Sequence, residues 1–188
     1  MSSLLRRSLP LAAVLALAAG AFAGCAARDP VMLEDAFDGE NGGRPALMYA
    51  GFSNWVVEGG TVDLIGARSE WDFIPGNGLY VDLDGDRPDG VTFKPGVLAS
   101  RDEFALQPGV YELTFRVAGS QRGDRNTVVV TLGSVFRRSI TLESGDRFGY
   151  SVHRIVVRRA QKARLRFDNA GADGYGLLLD DVRLARVR

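Results

Sequence analysis

A chain of 188 residues with 23 basic and 23 acidic side chains has no net charge, which argues against a general nucleic-acid binder, whose surface must be basic. Its one cysteine, Cys25, excludes an intramolecular disulfide. Hydrophobic residues make up 46% of the chain, enough to build a substantial core within one domain.

The N-terminus comes first. Arg6 and Arg7 precede an apolar run of 15 residues, Leu9 to Ala23. A bilayer span takes about 20 apolar residues, so the run is too short to cross and has the make-up of a secretory signal. It closes on Phe22-Ala23-Gly24-Cys25. That stretch resembles a bacterial lipobox, with Phe22 where leucine is common. The resemblance implies cleavage after Gly24, lipidation of Cys25 and attachment to a membrane through the lipid. Ala21-Phe22-Ala23 also fits the small-x-small pattern of ordinary signal cleavage, so both routes stand. With Ala26 in place of a retention aspartate, the lipoprotein route implies the outer membrane; the other implies a periplasmic or secreted protein. On the lipoprotein route, residues 1–24 are the signal, 25–30 a tether and 31–188 the folded domain. Five tether residues, Ala26 to Pro30, reach at most about 17 Å, which holds the domain close to the membrane surface.

Beyond residue 30 the sequence predicts strands and no helix. Glycine and proline punctuate short β-rich runs, the pattern of an all-β sandwich or barrel. "NWVVEGGTVDLIG" reads as two short strands with Gly59-Gly60 at the bend. In "VYELTFRVAG", Tyr111, Leu113, Phe115 and Val117 alternate with Glu112, Thr114 and Arg116, as in a half-buried antiparallel strand. "KARLRFDN" repeats the alternation, with Ala163, Leu165 and Phe167 inward and Arg164 and Arg166 outward. "NTVVVTLG", "SVFRRSITL", "YSVHRIVVR" and "GLLLDDVRL" complete the set. About eight to ten strands in one domain predict a two-sheet jelly roll. Charge is uneven along the chain: residues 28 to 110 carry net −9 and residues 111 to 188 net +7. Either these are solvated strand faces, or the later strands form a basic face toward anionic glycan or lipid.

The order "GFSNWVVEGGTVDLIGARSEW", "GLYVDLDG", "LQPGVYELTFRVAGSQRG" and "GYGLLLDDVRL" resembles the DUF642 type of galactose-binding-like domain, with the bacterial choice-of-anchor C envelope proteins among its relatives. The resemblance covers residues 33 to 185. It implies a jelly roll akin to carbohydrate-binding modules, with no catalysis; plant members are associated with cell-wall polysaccharide. Two positions depart. Ser120 stands where the family often has asparagine after Ala-Gly, and Asp38 replaces a longer glutamate near the opening strand.

Three clusters invite chemistry. In the last strand, Asp180 shares a phase with Leu178, Val182 and Leu184, and an inward carboxylate must be paired, hydrogen-bonded or on a metal. Related jelly rolls hold a structural calcium between first and last strands, so the resemblance implies a Ca2+ ion on Asp38 and Asp180. Backbone carbonyls and Glu40 or Asn41 would complete its six to eight oxygens. The other reading has Asp180 bonded to backbone amides or an arginine. "GNGLYVDLDGDRPDG" looks like a calcium loop, but counting from Asp82 the glycine and glutamate of an EF-hand are misplaced. Alternation of Leu79, Val81 and Leu83 with Tyr80, Asp82 and Asp84 fits a strand whose acids point outward. For a ligand, Trp71 and Tyr80 offer aromatic faces on which a sugar ring stacks, with Asp82 and Arg116 flanking; Trp55 opens an apolar strand and belongs to the core. Trp71 reads equally as platform or as core. His153 shares a phase with Ile155 and Val157 and reads as a core or edge histidine. Taken with the signal-like N-terminus, the resemblance implies a non-catalytic envelope domain that binds carbohydrate, a glycan or cell-wall polysaccharide. The alternative is an accessory lipoprotein whose partner is another protein.

Overall fold

The computed structural model describes residues 30–92 and 94–187. Cys25, the signal and most of the tether lie outside the described residues. Among those described, no helix is long and apolar enough to cross a membrane.

The chain folds into a jelly-roll β-sandwich. Its strands are β1 (Val31–Asp35), β2 (Trp55–Gly59), β3 (Asp63–Gly66), β4 (Leu79–Asp82), β5 (Val97–Ser100), β6 (Phe104–Leu106), β7 (Gly109–Ala118), β8 (Asn126–Leu132), β9 (Phe136–Leu142), β10 (Gly149–Val157), β11 (Gln161–Ala163), β12 (Leu165–Asn169) and β13 (Leu178–Arg186). Among the described residues the one helical element is a single 3-10 turn, Glu40–Gly42. One sheet runs β10-β7-β13-β4-β3, with β1 also on β13; the other runs β2-β5-β12-β8-β9. β6 and β11 form a separate two-stranded ribbon. Every pairing is antiparallel.

The core lies between the two sheets and follows the predicted alternation. Tyr111, Leu113, Phe115 and Val117 of β7 face Val128 and Val130 of β8 and Leu165 and Phe167 of β12 in one cluster. Phe115 and Phe167 meet edge-to-face across the sandwich, ring centroids 5.2 Å apart. Trp55 is fully buried against Phe167, as expected, and its indole N–H donates to Asp35 Oδ2 at 2.9 Å.

Two expectations need refinement. The bend at Gly59-Gly60 is there, but the strands on either side do not pair: β2 belongs to one sheet and β3 to the other. Gly60 is required at this crossing, because its φ is +53° and a side-chain carbon would stand 2.3 Å from the Lys94 carbonyl oxygen. The phase of the last strand is also corrected. Asp181 has φ +48°, and the register of β13 against β7 shifts between Asp180 and Arg183. This bulge puts Leu179 and Val182 into the main core together, while Leu178 and Asp180 point the other way. It also changes partners: residues before it pair with β4 and those after it with β1.

The opposite face of the β3-β4-β13-β7 region is not open to solvent. The segment between β3 and β4 folds back over it, and Trp71, Phe73 and Ile74 pack on Ile65, Tyr80, Ala118 and Leu178. Tyr80, Asp82 and Asp84 are therefore fully buried, against the expectation that this phase of "YVDLD" faces water.

Candidate functional site

Beside this outer layer, the connections on either side of β4, the one following β7 and the one before β13 meet in a cleft of about 310 Å³. Trp71, Arg122 and Tyr175 line it, with the acids Asp63, Asp86 and Asp173. Each is placed by its loop. Trp71 is half-buried, packed into the outer layer along one side and facing the cleft along another. Tyr175 is exposed at the tip of the glycine-rich "GADGYG" run before β13. Gly176 lets that run pass close to β4: a side-chain carbon there would stand 2.3 Å from the Asp84 nitrogen.

Arg122 organises the cleft. Its guanidinium carbon lies 4.9 Å from the Phe73 ring centre and 4.8 Å from that of Tyr175. One terminal nitrogen pairs with Asp82 Oδ2, and the other donates to the Gly174 carbonyl at 3.1 Å. Asp82 thus acts from beneath, as the buried counter-charge that aims Arg122; its other oxygen accepts backbone N–H groups from Asp84 and Gly176. Burial pushes the Asp82 carboxyl up to about 7, opposed chiefly by the Arg122 charge. Asp63 is also structural. Oδ1 accepts the Met48 N–H at 2.7 Å and Oδ2 the Asp86 N–H at 2.9 Å, so it ties the two walls together.

Of the residues singled out from the sequence, the cleft contains Trp71 and has Asp82 below it. Tyr80 lies in the outer layer, where its hydroxyl accepts the Ile74 N–H at 3.0 Å and donates to Asp72 Oδ1 at 3.1 Å. Burial drives that phenol up to about 12. With no exposed surface, neither Tyr80 nor Asp82 can touch a ligand directly, so the expectations of Tyr80 as a stacking face and of Asp82 as an outward-facing flank are both corrected. Arg116 is spent elsewhere, on Asp180 at 3.3 Å, Asp181 at 3.1 Å and Asn77 Oδ1 at 2.7 Å, with its guanidinium over Phe148. Arg122 and Tyr175 were missed. Their signal was an arginine and a tyrosine in short glycine-flanked loops, where a side chain with nothing local to pack on reaches a neighbouring loop.

Asp38 and Asp180 do come together: burial pushes the Asp180 carboxyl up, and the charges of Asp181 and, least, Asp38 add to it. They do not fit a calcium ion. Arg116 already supplies the positive charge beside Asp180, Asp180 Oδ1 accepts the Asp181 N–H at 2.8 Å, and Asp38 Oδ1 accepts the Leu79 N–H at 2.8 Å. Glu40 is engaged with Ser53, and Asn41 with the Arg44 carbonyl. The arginine reading of Asp180 is the one the geometry follows. His153 sits at the sandwich edge between the Phe115 and Phe136 rings, within 2.8 Å of Ser151 Oγ.

No protein-family model matches the chain, and no curated protein does. Solved structures do resemble it in fold. The K1 cleaved adhesin domain of Lys-gingipain from Porphyromonas gingivalis superposes with TM-score 0.56 at 15% identity, over 83% of this chain and 98% of that one. The K3 adhesin domain of the same protein gives 0.55 at 16%, over 83% and 99%. The CBM22-1 xylan-binding domain of Paenibacillus barcinonensis Xyn10C gives 0.52 at 11%, over 85% and 96%. At these identities the likeness is one of fold.

Proposed function

We propose that this chain is a non-catalytic glycan-binding domain of the bacterial cell envelope, related to the DUF642 type, and that the Trp71–Arg122–Tyr175 cleft is its ligand site. The observation that carries this reading is the make-up of the cleft. Two aromatic side chains offer apolar faces to a sugar ring, while a clamped guanidinium and the Asp86 and Asp173 carboxylates stand by for hydroxyls. The cleft is open at the surface, as a chain-like ligand requires. The fold shared with a xylan-binding domain makes polysaccharide the first class to test.

The test is retention on immobilised or gel-embedded xylan, galactan and peptidoglycan. Trp71→Ala and Tyr175→Ala should each weaken retention by about tenfold or more while the protein stays folded. Unchanged retention in both variants would place the ligand elsewhere, and no retention on any polysaccharide would end the glycan reading. Attachment through Cys25 is part of the same proposal: mass spectrometry of the mature N-terminus should find an acylated cysteine.

A second reading, an accessory protein with a protein partner, rests on β10. That strand lies at a sheet edge and exposes Tyr150, Val152 and Val156 along one face. Crosslinking in intact envelopes that captures one defined protein, and loses it in Val152→Arg, would favour it.

A further inference from the structure

We infer that a second site, next to the cleft and distinct from the Asp38–Asp180 pair, binds a calcium ion through Asp84, Asp124, Asn126, Asn169 and the carbonyl of Tyr175. Two buried oxygens point to it. Asp84 is fully buried; its Oδ2 accepts the N–H groups of Asp173 at 2.9 Å and Gly174 at 3.2 Å, while Oδ1 has no partner. Asn169, 4% exposed, donates through Nδ2 to the Gly171 carbonyl at 3.2 Å, while its Oδ1 also has none. A buried oxygen without a donor is costly and rare in a native fold, and two on side chains that both border Gly171 point to a missing positive partner.

Gly171 shows that the side chains concerned lie together. A side-chain carbon there would stand 3.0 Å from Asn126 Oδ1, 3.4 Å from Asn169 Nδ2 and 3.6 Å from Asp84 Oδ2. The heads of Asp84, Asn126 and Asn169 therefore lie beside one another, with room that only a glycine leaves. Asn126 links this group to the rest: its amide meets both the Asp124 carboxylate and the Tyr175 carbonyl, and the second Asp124 oxygen meets Ser120 Oγ. The two ends of an amide have the same shape. Turning that of Asn126 by half a rotation sets its oxygen against two other oxygens, an arrangement that a cation stabilises.

The donor chemistry selects the ion. All the donors are oxygens, drawn from two carboxylates, two amides and a backbone carbonyl, with two formal negative charges. That mixture in an irregular shell, completed by water, suits calcium, whereas magnesium demands a tighter octahedron and zinc prefers nitrogen and sulfur. The ion would fasten the connection between β12 and β13 to the start of β8. That connection presents Asp173 and the Tyr175 ring to the cleft, so calcium would set the shape of the proposed glycan site.

The test needs no glycan, so its outcome is separate from that of the function above. Purified protein is stripped with chelator and titrated with calcium chloride, or with magnesium chloride as control, by calorimetry and thermal melting. One calcium per chain is expected, with Tm raised by roughly 5 °C or more at saturation and little response to magnesium. Asp84→Asn keeps an acceptor for the Asp173 and Gly174 N–H groups, and Asp124→Asn keeps the size of the side chain. Each should melt in chelator as the wild type does and take up calcium about tenfold or more weakly. Asp180→Asn should bind as the wild type does. No uptake at millimolar calcium, full affinity in both Asp84→Asn and Asp124→Asn, or loss in Asp180→Asn alone would overturn the assignment.

Discussion

Asp180 shows how much one buried carboxylate can govern. Burial, reinforced by the neighbouring Asp181 charge, raises its pKa from 3.8 to about 7, against the pull of Arg116. In the unfolded chain it returns to its ordinary value. Between roughly pH 4 and 7 the folded state holds a proton that the unfolded state releases, so this group's contribution is complete below pH 4 and is lost as pH rises through 7. Urea titrations at pH 5 and pH 8 should show a smaller loss of midpoint in Asp180→Asn than in the wild type; equal losses would place the titration elsewhere. Tyr80 makes a second prediction at this scale. Tyr80→Phe leaves the buried Ile74 N–H without its acceptor and frees Asp72, for a cost of about 1–3 kcal/mol in urea unfolding.

Among the elements, the two tryptophan-bearing segments behave oppositely. Trp55 opens a core strand and is fully enclosed, so Trp55→Ala should cost about 3–5 kcal/mol. Trp71 belongs to a loop that covers the outer face of a sheet and is half-buried, so Trp71→Ala should cost clearly less in the same unfolding assay. Between the two readings of Trp71, platform or core, the structure gives it a packed side against the outer layer and a side that faces the cleft. In β13 the bulge at Asp181 is what allows Leu179 and Val182 to face the same core. Deleting Asp181 removes the extra residue and leaves Leu179, Val182 and Leu184 in one regular core-facing phase, so circular dichroism should show the native fold retained; its loss would mean that the bulge itself is required. The bulge was invisible in "GLLLDDVRL", since alternation counts residues and one unpaired residue inverts everything after it.

Across the whole molecule, the sandwich joins what the sequence separates. Glu58, from the acidic half, pairs with Arg164 at 3.0 Å and with Arg166, both from the basic half, and Asp82 pairs with Arg122 in the same way. The charge asymmetry thus resolves in part into ion pairs between the two halves of the chain. Phe115 and Phe167 link the sheets through the core, so Phe115→Leu and Phe167→Leu should be non-additive. A double-mutant cycle in urea should give a coupling of about 0.5–1.5 kcal/mol, while zero coupling would mean the rings do not act as a pair. From the sequence alone came the class of fold, the core faces of β7 and β12, the buried Trp55 and the packed His153, because period-two alternation of apolar residues and glycine-proline punctuation are local and survive without knowledge of neighbours. Tertiary structure alone decided which outer faces are covered, which sheet each side of Gly60 joins, and that Arg122, Tyr175 and the Asp84 group meet at one end. Those depend on loops far apart in the chain, and a strand's alternation says which residues share a face but not what that face will touch.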